Sequence, residues 1–109
     1  MPRYALIADH TPDLCPSANA RTRARALEGL NPENQERLAE TLGVQTVIGP
    51  LHLDPSHRTM AVLEAPSVEA VTQWVMDTGL FQWNTVDVAP VTPIEETMPR
   101  ILEMPVVFD

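Results

Sequence analysis

Residues 44–79 read VQTVIGPLHLDPSHRTMAVLEAPSVEAVTQWVMDTG, and this stretch decides the fold. Val44–Asp54 reads as a strand, with Val44, Val47 and Ile48 apolar. Pro50 has no N–H to give to a ladder, so it marks an edge or a bulge. Asp54-Pro55-Ser56-His57 is turn chemistry. Arg58–Ala65 is the next strand, with Met60, Val62 and Leu63 at its centre. Pro66 stops it and Ser67 caps a helix. Val68, Val71, Trp74, Val75 and Thr78 fall on one face of that helix, and Gly79 closes it. The segment is therefore strand, hairpin turn, strand, helix.

The flanks complete the pattern. Upstream, Arg3–His10 reads as a first strand, with Tyr4, Leu6, Ala8 and His10 on one face and Ala5 and Ile7 on the other. Thr11-Pro12-Asp13 breaks it. Ser17 or Asn19 can cap a helix through Arg21–Glu28. Gly29-Leu30-Asn31-Pro32 interrupts that helix and restarts it, and Gly43 ends the second piece after Leu42. Downstream, Asn84–Val91 reads as a last strand. Glu95–Asp109, which carries Pro99 and Pro105, reads as a short helix and an extended tail. The order β-α-β-β-α-β predicts an α+β domain, a ferredoxin-like sandwich over residues 1–94. Residues 95–109 form a C-terminal extension expected to pack on the domain or on a partner subunit. Helices cover one face of such a sheet, and 109 residues supply no third layer for the other. A homodimer with sheets packed face to face is the economical cover, with the Tyr4 and Leu6 face expected to need it.

Thr59-Met60-Ala61-Val62-Leu63-Glu64-Ala65, the Trp-bearing helix after it, and Val86-Asp87-Val88-Ala89-Pro90-Val91 together resemble the dimeric α+β-barrel superfamily, notably its small bacterial members of unknown function. The resemblance spans about a third of the chain and implies fold more than chemistry. Relatives in that superfamily include monooxygenases, isomerases, haem-degrading enzymes and metal-binding proteins, so the fold alone selects no activity.

Charge narrows the choice. Seven basic residues oppose fifteen acidic ones, a net charge of −8. Such a chain repels phosphate backbones and anionic lipid surfaces, which argues against nucleic-acid and membrane partners. All seven basic residues are Arg. The absence of Lys removes Schiff-base chemistry, lysine general bases and the P-loop lysine. Cys15 has no second cysteine to pair with, which fits a reducing cytoplasm. There is no CxxC and no HExxH.

The reactive residues cluster by expected topology. With strands one and three taken as parallel neighbours, their C-terminal ends share one sheet edge. His10, Cys15, Glu64, Trp83 and Asn84 are then expected around one pocket mouth. His52 and His57, in the hairpin, fall at the opposite edge and reach His10 only across a dimer interface. Cys15 precedes Pro16 at a helix entry, where a thiolate is stabilised. Arg21 and Arg25 lie four apart on one helical face, where they either pair with Glu28 or Asp13 or meet an anionic ligand.

His10 and Cys15 are soft or borderline ligands for a transition metal ion, with Zn, Fe, Cu and Ni not distinguished. The Cys15-Pro16 dipeptide also occurs where a thiolate binds haem iron. The leading functional expectation is a small dimeric binding protein whose His10/Cys15 site takes a transition metal or a thiol-reactive small molecule. The superfamily resemblance implies another, a cofactor-free monooxygenase or isomerase with His10 as general acid or base and Asn84 or Trp83 positioning substrate. The third is a non-catalytic interaction or assembly module in which Cys15 is core.

Overall fold

The computed structural model describes residues 1–108; Asp109, the last of the expected tail, lies outside the described residues. Strand β1 spans Arg3–Asp9, and a single 3-10 turn, Pro12–Leu14, follows it. Helices α1 (Ala20–Gly29) and α2 (Pro32–Leu42) come next, then the strand pair β2 (Gln45–Leu53) and β3 (Arg58–Glu64). Helix α3 (Val68–Thr78), a 3-10 turn at Leu80–Gln82, β4 (Thr85–Pro90) and α4 (Ile94–Glu103) complete the chain.

Local chemistry sets these bounds. The Asn19 side chain accepts from the Thr22 N–H and starts α1. Asn31 caps α2 by accepting from Asn34, with Pro32 in the first turn, where its missing N–H costs nothing. Ser67 caps α3 by accepting from Ala70. Gly43 and Gly79 end α2 and α3 at φ of 71° and 79°, a conformation a Cβ disfavours.

The sheet order is β2-β3-β1-β4, and every neighbouring pair is antiparallel. With helices on one face, this is a ferredoxin-like α+β sandwich. β2 is an edge strand whose register slips between Thr46 and Ile48 and again before Leu51, the irregularity that Pro50 announces.

Two expectations need correction. β1 and β3 are antiparallel, with Arg3 opposite Glu64 and Asp9 opposite Arg58. A helical crossover and a hairpin separate them, and that path reverses the chain once. The open face is also the other one. Tyr4, Leu6 and Ala8 are buried beneath the helices with Leu63, Trp74 and Leu38. Their alternates Ile7, Met60 and Val62, with Ile48 and Leu51, occupy the uncovered face.

Candidate metal centre

The antiparallel β1–β3 pair assembles the site. Asp9 lies opposite Arg58, so the residue after β1 meets the residue before β3. The His10 N–H donates to the His57 carbonyl at 3.1 Å. The imidazoles lie edge to face, ring centroids 5.7 Å apart. His57 holds φ of 57°, the single non-glycine residue with positive φ among the described residues. Histidine is among the non-glycine residues that adopt this conformation most readily, but it still carries a cost there.

Cys15 comes from the loop after β1. That loop is pinned by Arg23, whose guanidinium donates to the Pro16 and Ser17 carbonyls at 2.9 Å each. One ligating atom each from His10, Cys15 and His57 lies within 4.8 Å of the others. Cys15 is 2% exposed. Its sulfur is 3.0 Å from the Ser17 hydroxyl. Hydrogen bonds from the Ser17 hydroxyl first, then the Ser17 N–H, then His57, outweigh burial and lower the thiol pKa from 9.0 to about 6. Sequence reasoning placed Cys15 at a helix N-terminus. In fact Asn19 caps α1, and Ser17 stabilises the thiolate.

The tautomer of His10 follows from its partner. Asn84 donates through Nδ2 to the Leu80 carbonyl at 3.0 Å, and a carbonyl can only accept. The Asn84 oxygen therefore faces His10 Nδ1 at 2.9 Å, and Nδ1–H must be the donor. The neutral ring then presents a lone pair at Nε2. That Nε2 is buried and has no hydrogen-bond partner, alone in this among the side chains of the described residues. Buried polar atoms are almost always paired, so an orphan facing a thiolate and a second imidazole asks for an occupant.

A cavity of about 330 Å³ adjoins these groups, lined by His10, Cys15 and Ser17 at one end and by Ala26, Leu30 and Trp83 along its walls. Trp83 lines this cavity; Asn84 does not, but hydrogen-bonds the His10 ring. Glu64 does neither. It lies at the far end of β3, where it pairs with Arg3 at 3.4 Å. His57, assigned to the wrong end, is in the cluster of its own chain. His52 lines the cavity, its Nδ1 3.0 Å from the Asp54 carboxylate. Arg25 lines a separate hollow with Glu28, Arg37 and Asp77, and exposed Arg21 lines neither. The signal for His57 was already in the sequence, since a hairpin tip returns to the end of β1 once β3 runs antiparallel to it.

No protein-family model matches the chain, and no curated protein matches it. One solved structure aligns along most of it. The chain is similar to a dimeric ferredoxin-like protein from an uncultured marine organism. Identity is 15%, coverage is 84% of this chain and 94% of that one, and the TM-score is 0.48. The fold assignment rests on the strand order of the chain itself.

Proposed function

We propose that this protein binds a transition metal ion through His10 Nε2, Cys15 Sγ and an imidazole nitrogen of His57. The observation that carries this reading is the buried, unpartnered Nε2 lone pair of His10, held in its tautomer by Asn84. Metal-ligating histidines characteristically donate their other ring nitrogen to a fixed acceptor. A tetrahedral zinc-type ion holds sulfur at about 2.3 Å and imidazole nitrogen at about 2.0–2.1 Å, so its ligand atoms stand about 3.5 Å apart. The three candidate atoms lie within 4.8 Å of one another, so binding an ion requires them to draw together. One thiolate and two neutral imidazoles suit zinc, copper, iron or nickel rather than calcium or magnesium. The donors converge on a point, which suits an ion better than the face of a haem.

Metal analysis of untagged protein, purified without added metal, tests this. About one ion per chain is expected, and none in Cys15→Ser. Asn84→Ala is expected to weaken binding about 10- to 100-fold, the usual effect of losing an outer hydrogen-bond partner. A metal-free wild type that takes up no added zinc or copper would overturn the reading.

A second reading is favoured by the same hydrogen bond. An imidazole fixed by Asn84, in a residue that lines a cavity, also suits a general base for a metal-free monooxygenase or isomerase. In that case activity survives chelation. We also propose that the open sheet face pairs with a second copy, because Ile48 and Leu51 are about half exposed there beside Ile7, Met60 and Val62.

A further inference from the structure

We propose that the bound ion keeps one coordination position open toward the apolar cavity, and that this position takes a small uncharged apolar molecule through a single donor atom. The inference rests on the metal reading and goes on to name the ligand class. Three protein donors leave one position of a four-coordinate ion for an outside ligand, the arrangement of catalytic rather than structural zinc. His10 and Cys15 both belong to the cavity lining and His57 does not, which puts the ion at the edge of the cavity.

The cavity specifies the rest of the ligand. Pro16, Ala26, Leu30, Leu80 and Trp83 make its walls predominantly apolar, and neither an Arg nor a carboxylate lines it. A charged ligand would be desolvated there with no counter-charge beyond the ion. The volume of about 330 Å³ exceeds by about twofold the roughly 150 Å³ apolar cavity that holds benzene in an engineered protein. A way in exists. A neighbouring apolar hollow of about 420 Å³ shares Pro16, Ala26 and Leu30 with the cavity and continues to Leu27, which is 69% exposed on α1.

The test uses the full chain loaded with Co(II), whose visible spectrum reports changes in coordination. Imidazole and 4-phenylimidazole are titrated separately. Both should perturb the spectrum, and the phenyl compound should bind about 10- to 100-fold more tightly, the effect of burying one aromatic ring. Ala26→Leu, which fills the cavity with a good helix former, should erase that preference and leave imidazole affinity and the cobalt–thiolate charge-transfer band intact. The retained band shows that the variant is folded at the site. Equal affinities for the two probes in wild type, no spectral response to either, or a phenyl preference that survives Ala26→Leu would overturn the proposal with the metal reading standing. A wild type that shows no cobalt–thiolate band overturns the metal reading itself, and this proposal with it.

Discussion

Cys15 is a buried sulfur that ionises below neutrality, and the cause is a single neighbour more than a general field. The Ser17 hydroxyl is the largest contributor. In the metal-free chain, the rate of alkylation by iodoacetamide should rise with pH to a midpoint near 6, and Ser17→Ala should move that midpoint upward. Alkylation seen only after denaturation would show instead that Cys15 is inert core. The same shift acts on stability, with a definite sign. The thiol ionises more readily folded than unfolded, so its contribution is full above about pH 9, shrinks as pH falls, and is gone below about 6. Urea unfolding at several pH values, wild type against Cys15→Ser, reads that trend. His57 carries an opposite tension. Its left-handed backbone costs of order 1 kcal/mol or more in a non-glycine residue. His57→Gly should therefore leave the metal-free protein as stable or more so, while metal affinity falls steeply. Equal metal affinity in that variant would remove His57 from the ligand set.

Individual elements were legible where their chemistry is local. Asn31-Pro32 and Gly43 bound α2, and Ser67 and Gly79 bound α3, because capping is decided within four residues. Strand direction is decided by the whole path, and one wrong orientation for β3 misplaced both Glu64 and His57. Asn84 comes beside His10 because β4 runs antiparallel to β1, with Thr85 opposite Asp9. The role of Ser17 lay in a two-residue side-chain contact that no periodicity reveals. Packing between helices was equally invisible. Gly29, at the end of α1, presses so closely on α3 that a Cβ there would overlap the Thr78 carbonyl. Gly29→Ala should cost about 1–3 kcal/mol, the range for overpacking, and lower the thermal midpoint. An unchanged midpoint would mean that α1 can slide away from α3 freely.

At the scale of the molecule, the chain is longer than a compact body needs. Its radius of gyration is 16.3 Å, against about 13 Å for a globule of this length. α4 buries none of its residues on its own domain, and Leu102, Val106 and Phe108 beyond and within it are more than three-quarters exposed. The extension was expected to pack on the domain or on a partner subunit, and in the single chain α4 has no buried residue. Packing on a second copy is the remaining proposal. Sedimentation should give a dimer at micromolar concentration, Val62→Glu on the open sheet face should dissociate it, and truncation after Glu96 should weaken it. A monomeric wild type would defeat all three expectations together. The three proposed donors also come from three places, the end of β1, the loop after it and the hairpin tip. An ion joining them is a cross-link between segments that meet only in the native chain. A ligand of that kind adds RT ln(1 + [M]/Kd), about 2.7 kcal/mol at a hundredfold excess over Kd. The spectroscopic signal of a coloured ion such as Co(II) would consequently report the meeting of the hairpin with β1.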